Sequence, residues 1–229
     1  MRSISVVIVA AFMCCSGVVL AQSWQPPSDD KRCPSKWGPN DQRGSANHQK
    51  PETVMRAVKL IRTGEVIELG RVLEESMPMN PGRSFQVMTK RTSFNPGVNR
   101  RGTNEELVVA EIGQVGTQFD AFSHQTIGAS MYNCYKLDEI ATRTGFSKLG
   151  VENVGALLTR GVLIDVAALK GVDMLPVHQI LLVVNGIHML ENLKLDELAT
   201  RRIYEFALII EPLKIKGGTG STVAPIAVH

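Results

Sequence analysis

Between Gln114 and His124 the chain reads QVGTQFDAFSH. It follows an apolar run that is strand-like up to Ile112 and breaks at Gly113 and Gly116, so it reads as a polar strand-turn at a strand end. Asp120 and His124 are four apart, near that glycine break. A carboxylate and an imidazole at the end of a strand suit a metal ion or a general acid/base pair. The same residues also suit a plain turn, with Asp120 capping it and His124 bonded to backbone.

Outward from this stretch, helical and extended patterns are mixed. KPETVMRAVKLIRTGE begins a helix at Pro51, keeps Val54, Val58 and Ile61 on one face, and stops at Gly64. VIELGRVLEESMP reads as a strand ending near Met77-Pro78. SFQVMTKRTSF and NEELVVAEI read as two more, the second breaking at Gly113. KLDEIATR opens a helical segment, GVLIDVAA is a short buried strand, and QILLVVNGIHML is a further apolar run. LDELATRRIYEFALII gives a helix and then a strand. The glycine-rich GGTGSTVAP, from Gly217 to Pro225, lacks the lysine of a phosphate loop and reads as a structural turn. These patterns predict one α/β domain with a mixed sheet.

Composition narrows the classes. The chain has 229 residues, 44% hydrophobic and 21% charged, with a net charge of +3. That is enough for one domain with a real core. The cations are scattered, with no basic stripe interleaved with aromatics, which argues against nucleic acid as a partner. The first residues open with Arg2, run apolar from Ile4 to Leu20, and end in small residues at Val19 and Ala21. Residues 1–21 are expected to be a signal peptide cleaved after Ala21, with export to a periplasm, and no membrane span remains thereafter. Residues 22–50, rich in Pro, Gly, Ser, Asp and Asn, read as an irregular arm, pinned by Trp24 and Trp37. Cys33 and Cys134 are left after cleavage and are free to form one disulfide in an oxidising compartment, though nothing in their spacing places them together.

The late segment PVHQILLVVNGIHMLENL offers further candidates. His178, Gln179, His188 and Glu191 all lie in it, and His188 and Glu191, three apart, would share a helix face. A carboxylate after a long apolar run needs a partner. A lone histidine on an apolar segment is more often a satisfied core residue than a ligand. His229 is terminal and expected to be disordered. His48, in the arm, is within possible reach of a site.

Taken together, the segments resemble the cyclase family of metal-dependent hydrolases, which includes bacterial kynurenine formamidase and isatin hydrolase. The family signature is H-x-G-T-H-x-D-x-P-x-H. Gly116, Thr117, Asp120 and His124 match it. Gln114 and Gln118 replace two histidines and Phe122 the proline. LGRVLEESMPM, GVLIDVAAL, GIHMLENLKLDEL and PLKIKGGTGSTVAPIAV resemble other blocks of the family in order, so the likeness covers most of residues 37–228.

The resemblance implies a swivelling β/β/α domain over residues 51–229, shortened relative to family members near 176–177. It implies hydrolysis of a C–N bond in a formamide or cyclic amide, of the arylformamidase type, by metal-activated water. His124 would be the acid/base and Asp120 the bridging ligand. Glu191 would be the late carboxylate ligand, with His178 or Gln179 in the late histidine slot. Gln114 and Gln118 would stand at the first two ligand positions. The cofactor would be a divalent ion, zinc or manganese, with glutamine favouring the harder ions. The partners would be a small-molecule amide and further copies of the chain in a homo-oligomer. The glutamines and the short middle support a second reading: a non-catalytic small-molecule-binding protein that kept the fold and lost the metal.

Overall fold

The computed structural model describes residues 24–94, 100–164 and 175–229. The expected signal peptide lies outside these, as does most of the segment following Val162. Among the described residues eleven strands are formed: β1 Val66–Glu68, β2 Phe85–Phe94, β3 Gly102–Ala110, β4 Gln118–Asp120, β5 Ala141–Thr142, β6 Gly145–Phe146, β7 Leu157–Val162, β8 Met189–Glu191, β9 Glu205–Ile210, β10 Gly220–Thr222 and β11 Ile226–Val228. A four-stranded sheet has the order β1-β11-β9-β7, and a three-stranded sheet the order β10-β4-β8. The pairs β2-β3 and β5-β6 form separate two-stranded ribbons.

Every strand pairing among the described residues is antiparallel, where the sequence suggested a mixed sheet. The reason is length. A parallel crossover needs a dozen or more residues, usually a full helix. Here the helices are Asp29–Arg32, Pro51–Val58, Leu137–Ile140, Leu175–His178 and Asp196–Thr200, mostly single turns. The Pro51 helix therefore stops two turns short of Gly64, and the expected strand after Val66 is only three residues long. The apolar run QILLVV is not extended either: it is a π-helical turn, Gln179–Val184, continuing the Leu175–His178 helix. His188 and Glu191 consequently do not share a helix face, because Glu191 ends strand β8.

Three apolar clusters support the two sheets. Phe119, Ala121, Val151, Val154, Ile210 and Val223 fill the space between them. Phe122, Met131, Tyr132, Leu149, Leu182 and Val183 form a second cluster under the π-helical turn. Ile67, Leu69, Leu198, Ile203, Phe206 and Ala227 form the third behind the four-stranded sheet. Phe119 and Phe122, both about fully buried, anchor β4 and the turn after it in two different clusters. Far from these, the β2-β3 ribbon exposes Val87 and Met88 opposite Val108 and Leu107, so apolar side chains face outward on both of its sides.

The arm of residues 24–50 is irregular but bound at many points. Buried Arg32 donates to the Met131 carbonyl and pairs with Asp29. Asp41 accepts from Tyr132 Oη at 2.6 Å, and Gln42 and Gln49 accept from the backbone of Leu149 and Leu158. Cys33 and Cys134 are joined by a disulfide, with Cα atoms 5.9 Å apart. His48 packs edge-on against Trp37 and lines a separate apolar pocket with Phe119 and His188. His229 is ordered, contrary to expectation. Its carbonyl accepts from the backbone of Thr63, Gly64 and Glu65, and its own N–H donates to Glu65, extending the β1-β11 ladder.

The disulfide spans a separation of 101 residues, and closing so long a loop restricts the unfolded chain strongly. Replacing Cys33 or Cys134 by serine should lower unfolding stability by about 2–5 kcal/mol. Urea unfolding of the wild-type protein with and without reductant should show the same loss, and the serine variants should be insensitive to reductant.

Candidate metal centre

The site is built on β4. Antiparallel pairing sets Gln118 opposite Glu191 and Asp120 opposite Met189 on β8. It sets the same two residues opposite Thr222 and Gly220 on β10. Side chains alternate along a strand, so Gln118 and Asp120 share one face while Phe119 points into the core. The turn leading into β4 needs its glycines. Gly116 has φ +62°, and a Cβ there would lie 2.2 Å from Leu73 Cδ2. At Gly113 a Cβ would lie 2.5 Å from the backbone of Gly220, so the turn is pressed against β10.

Polar contacts tie this turn to the segment after β8. Thr117 Oγ1 accepts from the Arg71 backbone and donates to the Asn192 carbonyl, both at 2.9 Å. Asn192 Nδ2 donates back to the Gly116 carbonyl at 3.1 Å. The glycine and threonine of the signature therefore hold Glu191 in register with Gln118.

Asp120 is the centre. It is fully buried, and neither carboxylate oxygen has a hydrogen-bond partner. The simple reading, that it caps a turn, does not describe this arrangement. His178 Nε2 lies 3.7 Å from Asp120 Oδ2 and 3.1 Å from Glu191 Oε1. Ligand atoms of Asp120, His124 and His178 all lie within 4.8 Å of one another. Gln118 Nε2 donates to Glu191 Oε2 at 2.9 Å, and Gln114 Nε2 donates to His124 Nδ1 at 3.2 Å. The oxygens of both amides are buried without a partner. Gln179 turns away and donates to the Thr126 carbonyl. Of the two residues considered for the late histidine slot, only His178 faces Asp120.

Each buried acceptor left unmade costs about 1–3 kcal/mol. Asp120 Oδ1 and Oδ2 are in that condition, as are Gln114 Oε1 and Gln118 Oε1. Asp120, His124 and His178 form a cluster able to hold a divalent cation. The residues present thus fit the cofactor that the sequence implied.

The electrostatics agree. Burial, reinforced by the Glu191 charge, pushes the Asp120 carboxyl up to about 7, against the opposing pull of Arg83 and of the Gln118 amide N–H nearby. Burial presses His124 down to about 4, and the His178 and Arg83 charges act in the same direction. His124 is therefore a neutral imidazole at neutral pH.

Beside the cluster opens a cleft of about 550 Å³ lined by Pro78, Asn80, Arg83, Gln114 and Glu191 among others. Arg83 donates to the Gln114 carbonyl at 2.7 Å and is the cation of this cleft nearest the cluster's chemistry. Sequence reading passed over it, because a single arginine in the turn before a strand carries no pattern. His188 also belongs to the supporting frame. It stacks on Phe122 at 4.2 Å, its Nε2 donates to the Arg43 carbonyl, and burial presses it to about 4.

No protein-family model matches the sequence, and no curated protein does. Solved structures do match. One described as a novel cyclase aligns with 85% of this chain and 98% of its own, at 25% identity and a TM-score of 0.75. The fold is accordingly that of the cyclase family. Isatin hydrolase A from Ralstonia solanacearum aligns with 78% of this chain and 97% of its own at 17% identity, but with a TM-score of only 0.38.

A pH prediction follows from Asp120. Its folded-state value lies above the usual carboxylate value near 3.9, so its contribution to stability is present in acid and lost as the pH rises through about 7. His124 and His188 act oppositely, losing stability as the pH falls below their unfolded value towards about 4. Comparing wild type with Asp120→Asn isolates the carboxylate. In chelator-treated protein the variant should gain a few kcal/mol relative to wild type between about pH 4 and pH 8. Added divalent cation should raise the wild-type melting temperature at the upper pH and leave the variant unmoved.

Proposed function

We propose that the chain is an exported metal-dependent amidohydrolase that cleaves a C–N bond of a formamide or cyclic amide, as arylformamidases do. The observation that carries this reading is the fully buried, unpartnered Asp120 carboxylate with His124, His178 and Glu191 gathered around it. Buried polar atoms without a partner are few in folded proteins, and here both oxygens of one carboxylate are in that state. The fold's likeness to a solved structure described as a novel cyclase supports the reading. Export is supported by the apolar N-terminal sequence and by the Cys33–Cys134 disulfide. Among the described residues no helix is long and apolar enough to cross a membrane.

Asp120 and His178 would hold the ion, with Glu191 beside them. A zinc or manganese ion bound there would polarise the amide carbonyl and lower the pKa of water towards neutrality. His124, neutral and backed by the Gln114 amide on Nδ1, would present Nε2 to the cleft. For Nε2 to take the proton released by the attacking water and return it to the leaving nitrogen, the neutral ring must carry its hydrogen on Nδ1, with the Gln114 amide turned to offer its oxygen there. Arg83 at the cleft gives a positive wall for an acidic substrate. Oligomerisation, implied by the family resemblance, belongs to the same proposal.

The competing reading is a binding protein without chemistry, favoured by the contacts of Gln118 with Glu191 and of Gln114 with His124. Turnover separates the two. Hydrolysis of N-formylkynurenine and isatin should be measurable with added manganese or zinc. His124→Ala should lower kcat about 10²–10⁴-fold, the usual worth of a general acid/base, with little change in melting temperature. Absence of turnover with every ion, and an unchanged melting temperature on metal addition, would leave the binding-protein reading in place.

A further inference from the structure

We propose that Arg83 forms an anion subsite in the cleft and selects amides that carry a carboxylate a few bonds from the scissile carbonyl. The inference rests on the amidohydrolase reading above and goes beyond it by naming the feature of the substrate that is recognised and the residue that recognises it.

A turn builds the subsite. In Asn80-Pro81-Gly82-Arg83, proline stands second and Gly82 third with φ +85°, and the Arg83 N–H donates to the Asn80 carbonyl at 3.1 Å. That is the pattern of a type II turn. The next residue, Ser84, donates its N–H to Glu111 Oε2 at 2.7 Å, which fixes the exit of the turn. The Arg83 guanidinium then donates through one nitrogen to the Gln114 carbonyl at 2.7 Å. The side chain is thus held at both ends, its backbone by the turn and its head by Gln114. A guanidinium carries five N–H donors in a planar fork, and the Gln114 bond uses one nitrogen of it. Such a fork matches a carboxylate through two parallel hydrogen bonds.

The charges of the cleft favour an anion at this point. Among the described residues, Arg83 and Glu191 are its charged lining. Both Glu191 oxygens are engaged, Oε1 with His178 at 3.1 Å and Oε2 with Gln118 at 2.9 Å. Arg83 bonds a neutral carbonyl, which leaves its charge unbalanced within the cleft. That charge also reaches the reacting end, where it acts to lower both the Asp120 carboxyl and the His124 imidazole. Gln114 joins the two ends: its carbonyl meets Arg83 and its side-chain amide meets His124 Nδ1 at 3.2 Å. A substrate with its amide at His124 and its anionic group at Arg83 therefore spans little more than the length of one residue. Pro78, Met79, Met189 and Leu190 line the same cleft and suit a flat apolar ring carrying both groups.

The test uses the purified protein supplied with manganese or zinc, and ortho- and meta-formamidobenzoate, each compared with its neutral methyl ester. Wild type should turn over the better-fitting acid with a higher kcat/KM than its ester, the difference lying in KM. Arg83→Gln should lower that acid-to-ester ratio about ten- to a hundredfold, the worth of a charge-assisted hydrogen bond. Arg83→Lys, which keeps the charge without the fork, should fall between the two. Whatever Arg83 contributes by holding Gln114 affects acid and ester alike and cancels in the ratio. If circular dichroism shows that Arg83→Gln does not fold, Arg83→Lys and the decline of the wild-type ratio with added sodium chloride supply the decision. Binding of the corresponding aminobenzoates, followed by their own fluorescence, reads the subsite without turnover, and wild type should bind them about tenfold or more tightly than Arg83→Gln does. A wild-type preference for the esters, or ratios and aminobenzoate affinities that stay constant across the variants, overturns the subsite while leaving a hydrolase. Arg83-dependent aminobenzoate binding without turnover of any formamide upholds the anion subsite and overturns the hydrolase reading. Neither turnover nor Arg83-dependent binding overturns both.

Discussion

A carboxylate in a dry interior with nothing to bond to is the constraint around which this molecule is arranged. Asp120 sits on the middle strand of the three-stranded sheet, its backbone engaged on both edges and its side chain turned into a space closed to water. Burying a charge is costly unless it is paired or coordinates an ion. The protein answers by keeping the carboxyl close to its protonated state at neutral pH and by placing two imidazoles near it. It also keeps the interior around it rigid. Phe119 on one side and Phe122 on the other are locked in separate clusters, so the aspartate cannot swing out to solvent without unpacking both.

That rigidity extends to segments remote in sequence. The Gly116-Thr117 turn is laced to Asn192 and Arg71, so β8 delivers Glu191 against Gln118. The π-helical turn brings His178 down from the other side, in keeping with the tendency of such bulges to occur at functional sites. The N-terminal arm closes the back through Arg43, which receives the His188 hydrogen bond, and through the contacts and disulfide that fasten it to residues 131–135. His188 thus serves packing, as a lone histidine on an apolar segment usually does.

Much of this was legible in the sequence where short-range pattern decides structure. The helix start at Pro51, the two strands of the long ribbon and the strand Glu205–Ile210 all follow from local periodicity, whereas β4 lies beyond the glycine break at which the extended pattern ends. Glu191 stood out because a carboxylate after an apolar run needs an explanation. Other features were hidden because they depend on contacts across the chain. QILLVV is as apolar as a buried strand, and only its packing on Phe122 and Leu149 makes it a helix. The choice between His178 and Gln179 is a rotation of that helix, invisible in composition. Strand directions could not be read because the connections, not the strands, set them. Arg83 acquires meaning only from the cleft that it lines.

Strand β4 also separates two kinds of obligation along three consecutive residues. Gln118 and Asp120 answer to the chemistry of the cleft, and Phe119 between them answers to the core. A change at Gln118 or Asp120 alters the polar cluster and leaves the core contacts of Phe119 in place. One strand thus carries polar chemistry and core packing on opposite faces, so that each can vary with little demand on the other.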